Sequence, residues 1–487
     1  MSKTVTIPAQ EIPVRYETDV LVVGGGSAGV GAALGAARNG AETVLIEQRN
    51  HLGGLATGGH VSVYMNSNPQ VHGGVYNEIV DRLTRRDAIY ERTHQAMDYD
   101  SEEYKWLLQN MLVEAGVKLL LRVRCVESLV EDGAITGVVI DTLAGKMAIK
   151  AKIVIDCTRV SAVAQAAGAK LMWPEGAQAA LVQYVLRNID YGRLIAVMRE
   201  DDDFIDEPWK HTVAPRGHGG MGFWQWAFLG GQERLRRARE AGLLTFTKHE
   251  IYHFGMLDSG PGRIRMLPWL SPDNPLDPVD FKIQQYDPQA VSDLELEMRE
   301  HCWAEFEYLK EAVPGFKAAA MDATADEVGF FATRIIGDYI TPVQDMFAGA
   351  DYDDSVEIAS WILDVPNGKR FDTTLHDIPY RSLYSVNIEN LMMAGYHISC
   401  DPPTSATVAD QPTCISTGQA AGTAAALAVS SGVTARQVDV NRLQELLLAQ
   451  GSKPGRRYLA PEILKEYADE AAWMREEMKH RPNERLY

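Results

Sequence analysis

The sequence predicts an α/β fold built on a parallel, doubly wound sheet, and three observations near its start carry that prediction. Asp19-Val20-Leu21-Val22-Val23 has the unbroken apolar character of a strand buried on both faces. Gly24-Gly25-Gly26-Ser27-Ala28-Gly29 follows at once and opens a small-residue helix that continues from Val30 to Asn39. A second strand, Thr43-Val44-Leu45-Ile46, then ends on the acidic Glu47. Strand, glycine loop, helix, strand and carboxylate in this order make the Rossmann-like unit that binds an adenine dinucleotide.

Each part of that unit has a job. Gly24 permits the tight turn, Gly26 lets backbone approach a pyrophosphate, and Gly29 lets helix and sheet pack closely. The helix N-terminus, with Ser27 and Ala28 in its first turn, faces the phosphates. Glu47 lies about 20 residues beyond the loop, where a carboxylate accepts hydrogen bonds from an adenosine ribose. A glycine pair, Gly53-Gly54, follows in the segment from Glu47 to Thr57. This continuation resembles the two-dinucleotide-binding flavoproteins, in which the pair and the following Thr or Ser approach the phosphate and ribityl groups of FAD. The resemblance favours FAD over NAD.

Downstream, Gly58 to Gly74 reads as a loop over a cofactor, and Val75 to Arg86 and Glu102 to Ala115 have helical periodicity. Val117 to Val123, Cys125 to Val130, Ile135 to Asp141 and Met147 to Ala151 read as a small antiparallel meander. Lys152 to Thr158 returns to the parallel sheet, with Arg159 where flavoproteins of this layout carry glycine. From Gly168 to Ser382 the composition shifts toward tryptophan and proline, as in an inserted substrate domain. Within it, Gly217-His-Gly-Gly-Met-Gly222 follows no strand and reads as a loop, and Leu294 to Ala312 reads as an amphipathic helix. Leu391 to Gly395 reads as a strand, and Thr413 to Ser430, with Pro412 in its first turn, as a tightly packed helix. Val438 to Ala449 and Pro461 to Lys479 read as charged helices.

The predicted architecture is therefore a Rossmann-like FAD-binding domain in two parts, 15–167 and 383–432, an inserted α+β substrate domain over 168–382, and a helical C-terminal extension over 433–487. At 487 residues and 46% hydrophobic content the chain has material for several domains with a large core. Its net charge of −19 disfavours tracking along nucleic acid or an anionic membrane surface. No apolar run has the length of a signal core or a membrane span, which sets a cytoplasmic expectation. Five scattered cysteines without a CxxC pair suggest no redox disulfide, metal site or iron–sulfur cluster. A homodimer contact through the C-terminal helices stays open.

Together with the opening loop, Val328-Gly-Phe-Phe-Ala-Thr-Arg-Ile-Ile-Gly-Asp-Tyr339, Asn390-Leu-Met-Met-Ala-Gly395 and Gly418-Gln-Ala-Ala-Gly422 resemble the FAD-dependent oxidoreductase family with a glutathione-reductase-like flavin domain. The resemblance spans about residues 17 to 430. It implies FAD contacts at Gly24, Gly26, Ser27, Ala28, Gly29, Glu47, Gln48, Arg49, Gly53, Gly54, Thr57, Val123, Thr158, Gly395 and Gly418. Relatives often carry an arginine-rich stretch where this chain has Phe330 to Thr333, so only Arg334 remains, and a basic residue where it has Ala409-Asp410-Gln411. Both departures point toward a neutral or cationic substrate.

The expected chemistry is that of a dehydrogenase or oxidase. A hydride leaves a C–OH, C–N or activated C–C bond of a small molecule for flavin N5, and oxygen, a quinone or a protein carrier reoxidises the flavin. A base must take the coupled proton, and histidine suits that role near neutral pH. His397, just after Gly395, is the first candidate, followed by His60 and His72 in the glycine-rich loop. Tyr396, Cys400 and Asp401 flank the same turn, and Phe223, Trp224 and Trp226 are candidates for a substrate cavity. Two other classes stay open: a flavin-dependent tRNA-modifying protein, and a redox-neutral isomerase or lyase.

Overall fold

The computed structural model describes residues 11–65, 68–92, 96–173, 180–200, 228–229, 251–257, 262–270, 285–330, 332–359, 362–365, 369–372, 375–402 and 404–469, with a few isolated positions besides. The loop Gly217 to Gly222, the aromatic residues Phe223, Trp224 and Trp226, and the chain beyond 469 lie outside the described residues.

A seven-stranded sheet forms the base. Its strands are β1 (Val14–Val23), β2 (Thr43–Glu47), β3 (Lys118–Leu121), β4 (Arg124–Glu131), β5 (Ala134–Thr142), β6 (Gly145–Asp156) and β7 (Leu391–Met393), in the order β3-β2-β1-β6-β5-β4 with β7 also paired to β6. β1 runs parallel to β2 and β6, β2 to β3, and β7 to β6. Val20, Leu21 and Val22 in β1 and Val44 and Leu45 in β2 are completely buried, as their unbroken apolar runs require.

One boundary differs from the sequence reading. The predicted meander and the predicted return to the parallel sheet share one strand, because β6 runs without interruption from Gly145 to Asp156. Its first half pairs antiparallel with β5 and then alternates, with Lys150 and Lys152 exposed between the buried Ile149, Ala151 and Ile153. Its second half, Ile153 to Asp156, is wholly buried between β1 and β7. The change from alternating to continuous burial looked like two strands. The segment around Lys118–Leu121 likewise belongs to the parallel sheet, at its edge beside β2.

The helices that cover this sheet begin at sharp signals. α1 (Ser27–Arg38) follows the glycine loop, and α2 (Gly74–Thr84) follows Gly73. α3 (Ser101–Glu114) is capped by Asp100, whose carboxylate accepts from the backbone N–H groups of Glu102 and Glu103. α4 (Pro288–Ala312) starts earlier than the periodicity alone suggested, because Asp287 caps it and Pro288 occupies its first turn. α5 (Gln411–Ser431) ends on Gly432 in the left-handed conformation, and α6 (Val440–Ala449) is capped by Asp439. Residues 461–469 are also helical.

α1 and α5 pack backbone to backbone. A Cβ on Gly418 would lie 2.1 Å from the Ala28 carbonyl oxygen, and one on Gly422 only 1.9 Å from that of Ala32. From the other side, a Cβ on Gly31 would lie 2.1 Å from the Ile415 oxygen, and one on Gly35 2.5 Å from that of Gln419. Residue numbers rise together along both helices, so the pair is parallel and both N-termini point to the same end of the sheet.

A second layer rises beside that end. Its sheet is made from strands between Ala180 and Phe330, including Tyr184–Arg187, Ile251–Leu257, Ile264–Leu270 and Ala320–Thr324. Leu294, Met298, Cys302, Phe306 and Leu309 form the apolar stripe of α4 and share a core with Tyr184, Leu186, Ile264 and Met266 of that sheet. No helix among the described residues is long and apolar enough to cross a membrane.

The helix contact yields a direct test. Gly422→Ala forces α1 and α5 apart and destabilises the protein by about 3 kcal/mol in urea unfolding. Gly192→Ala, whose Cβ would meet nothing closer than Asp190 Oδ1 at 3.4 Å, stays within about 0.5 kcal/mol of the parent.

Candidate functional site

The site forms where the parallel strands end. Gly24, at φ +102°, turns the chain so closely over β6 that a Cβ there would sit 2.5 Å from the Cys157 oxygen. A Cβ on Gly29 would fall 1.8 Å from the Gly24 oxygen. Gly26 is different: a Cβ there would meet nothing within 4 Å. The open space on that side lies at the head of α1, whose first intrahelical bond runs from Val30 N–H to Gly26 O at 3.0 Å. The N–H groups of Ser27, Ala28 and Gly29 precede that bond, and no acidic side chain stands in the first turn. Such an end attracts an anion.

Glu47 is buried at the tip of β2. Its Oε2 accepts from Gly25 N–H at 2.6 Å and its Oε1 from Arg49 N–H at 2.8 Å, which fixes the carboxylate and leaves each oxygen a further lone pair. The second glycine pair docks onto the first loop, with Gly53 N–H donating to Gly25 O at 2.8 Å and Gly53 bridged to Gly26. Thr57 is completely buried and donates its hydroxyl proton to Leu52 O at 2.6 Å, closing its own turn. Val123 N–H donates to Glu47 O at 3.0 Å. Gln48 and Arg49 border a cleft of about 440 Å³ with Arg122, Arg124 and Asp141.

Thr158 and Arg159 take roles the sequence did not disclose. The Thr158 hydroxyl donates to Asp156 Oδ1 at 2.7 Å and accepts from Ala162 N–H at 2.7 Å, so it caps the short helix Ala162–Ala166. Arg159 donates through Nε and Nη2 to Phe330 O at 3.2 and 2.9 Å and pairs with Glu327 at 3.3 Å. It thus ties the main sheet to the second layer. Arg49 also pairs with Glu327, and His51 Nε2 meets Asp326 Oδ2 at 2.8 Å. Asp326 N–H donates to Gly58 O at 2.8 Å.

At the far end, Gly395 has φ +91° and donates its N–H to Thr417 Oγ1 at 3.2 Å, and a Cβ there would press on Ala28 Cβ at 2.9 Å. Gly395 and Gly418 therefore act by bringing β7, α1 and α5 together. Asp410 holds the N-cap position of α5, but its side chain makes no cap hydrogen bond. Its Oδ2 is enclosed without a partner, and burial pushes its pKa well above the ordinary carboxylate range.

The three candidate histidines lie in different surroundings. His397 is buried, with Nε2 2.9 Å from the Asp156 carbonyl oxygen at the end of β6. His72 is completely buried and its Nδ1 lies 2.9 Å from Glu357 Oε1, while its carbonyl accepts from Lys453 N–H. Burial pushes the Glu357 pKa well up. His60, at φ +57°, offers its carbonyl to Arg265 Nη1 at 3.1 Å. Arg265 in turn donates to Ser62 Oγ at 2.5 Å and pairs with Asp98, both buried. This residue pins the 60–62 loop to the second layer. A lone arginine in the apolar run Ile264-Arg-Met266 was the only sequence trace of it.

These residues fit an FAD. The open space at Gly26 faces a helix N-terminus suited to a pyrophosphate, the anchored Glu47 has lone pairs for ribose hydroxyls, and the enclosed Asp410 oxygen has none of its hydrogen bonds made.

Residues 19–447 match the model of a family described as FAD dependent oxidoreductase. No curated protein matches the chain in sequence. Among solved structures, a geranylgeranyl bacteriochlorophyll reductase-like protein from Thermoplasma acidophilum is similar at 15% identity and a TM-score of 0.45, over 90% of this chain and 85% of that one. p-Nitrophenol 4-monooxygenase from Pseudomonas putida is similar at 11% identity and 0.43, over 86% and 82%. A flavoprotein/dehydrogenase from Cytophaga hutchinsonii is similar at 11% and 0.43, over 88% and 83%.

Gly26→Ala separates cofactor binding from folding. The backbone at Gly26, φ −70° and ψ −174°, accommodates alanine, so the thermal midpoint of the apoprotein stays unchanged. The added methyl enters the open space, and FAD affinity measured by flavin fluorescence falls at least tenfold.

Proposed function

The chain belongs to the FAD dependent oxidoreductase family, and on that premise we propose that it removes a hydride and a proton from a small organic substrate at a C–OH, C–N or activated C–C bond, the electrons then passing to an external acceptor. FAD is its cofactor and, when bound, supplies at N5 the two-electron acceptor for the hydride.

The observation that carries this reading is the tie between His397 and Asp156. A carbonyl oxygen only accepts, so Nε2 of the neutral ring bears the proton and Nδ1 keeps a lone pair. The imidazole is thereby oriented as a base, with its orienting partner on the rigid end of β6. It takes the proton from the substrate O–H or N–H as the C–H leaves with its electron pair, and the product is a carbonyl or an imine. The N-terminus of α5, which carries no acidic side chain within its first turn, favours negative charge gathering in front of it. Burial raises the Asp410 pKa, which disfavours an opposing charge at that helix end.

The second layer supplies the substrate wall in this reading, with 168–382 inserted between the two parts of the flavin domain. Arg265, Arg159 and Asp326 hold the wall against the glycine loops.

Anaerobic mixing of the holoenzyme with a metabolite panel, followed by flavin absorbance, tests the proposal. One or more compounds bleach the flavin, and oxygen, a quinone or a protein carrier restores the colour. His397→Gln keeps its FAD and slows bleaching by about 10²-fold or more. Product formation from substrate with no acceptor present and no net flavin reduction would instead show a redox-neutral enzyme.

A further inference from the structure

Two arginines are among the largest fully buried side chains, and they differ in one respect. Arg265 spends its two terminal nitrogens on Ser62, His60 O and Asp98. Arg334, in the short strand Arg334–Ile335, is 2% exposed, and its Nε and Nη2 are enclosed with no hydrogen-bond partner among the described residues. An enclosed guanidinium without a counter-charge is destabilising, and such a group calls for an occupant.

The geometry says what kind. Nε and Nη2 lie on the same edge of the guanidinium plane, and that edge presents two parallel N–H groups, the fork that binds a carboxylate at both oxygens. The position also adjoins the proposed base. Ile335 N–H donates to His397 O at 3.0 Å, so Arg334 stands next to the residue that is bonded to the proposed base. Its charge acts on Tyr396 and Cys400, which follow Gly395 at the carboxyl end of the parallel sheet. Burial pushes the Cys400 thiol up to about 12, so that group stays neutral and offers no counter-charge. Tyr396 is likewise held neutral by burial, and its hydroxyl donates to Arg159 O. Asp401, which follows Cys400, is taken by Val343 N–H and Thr404, and Asp338, the acid nearest to Arg334 in sequence, pairs with Arg436.

We propose that Arg334 binds the carboxylate of the substrate through its Nε and Nη2 edge, so that the substrate class is a small organic carboxylate whose oxidisable C–H is placed by that contact. This rests on the proposed oxidation and runs against the neutral or cationic substrate suggested by the missing arginines. One buried, unpaired guanidinium outweighs several exposed ones, because its charge is not screened by water.

The test uses the FAD-loaded protein and needs no turnover. Oxalate, succinate and benzoate are titrated separately, with benzamide as the uncharged counterpart, while flavin absorbance and the thermal midpoint are followed. The parent responds saturably to at least one carboxylate and not to benzamide. Arg334→Met keeps its FAD, has a ligand-free midpoint equal to or above that of the parent, and weakens the carboxylate response at least tenfold. Arg334→Lys, which keeps the charge and loses the fork, falls between. A lower ligand-free midpoint or loss of FAD in Arg334→Met would make the arginine a structural or cofactor-holding group and overturn the proposal. So would a carboxylate response that survives in Arg334→Met, or none in the parent. If metabolites bleach the flavin while no carboxylate binds, this inference fails and the oxidation stands. If carboxylates bind through Arg334 and no compound bleaches the flavin, the carboxylate contact stands and the oxidation fails.

Discussion

The close parallel contact of α1 and α5 is the constraint on which the rest of this protein depends. Helices with ordinary side chains pack with axes about 8–10 Å apart. Here Gly31 and Gly35 face Gly418 and Gly422, and the backbone carbonyls of one helix occupy the space where a Cβ of the other would be. The contact is parallel, so two helix dipoles aim at one end of the sheet. One N-terminus follows Gly26 and suits a pyrophosphate, and the other begins at Asp410 and Gln411 with no acidic side chain in its first turn. Two segments far apart in the chain are held in register by the absence of side chains.

The second layer depends on that arrangement for its own position. It touches the cofactor loops through polar clamps: Arg49 and Arg159 on Glu327, His51 on Asp326, and Arg265 on Ser62, His60 and Asp98. The Arg265 clamp is buried and engages both terminal nitrogens, so removing a partner would strand a charge in the interior. The Asp326 clamp is half-exposed and correspondingly weaker. The second layer is therefore fixed at one point and softer at another. Arg334 is the buried charge that neither clamp uses.

What the sequence revealed follows from which forces act locally. The glycine loop, Glu47 and the small-residue helix α5 were legible because each is dictated by sterics within a few residues. The start of α4 was missed because Asp287 and Pro288 signal a helix by capping, outside the apolar stripe used to find it. β6 was split because its burial changes halfway along, from one face to both. The partners of Arg159, His72 and Arg265 were invisible, since each is bonded to a residue far away in the chain. No periodicity encodes such pairs. The family resemblance, by contrast, was legible from motifs, and the match over residues 19–447 agrees with it.

In the proposed holoenzyme, the two helix N-termini and the anchored Glu47 hold the FAD. Reconstitution of the purified, folded protein with excess FAD, followed by gel filtration and an absorbance spectrum, tests it most directly. The expected result is a yellow protein carrying one flavin per chain, bleached by dithionite. A folded protein that leaves the column colourless would contradict it.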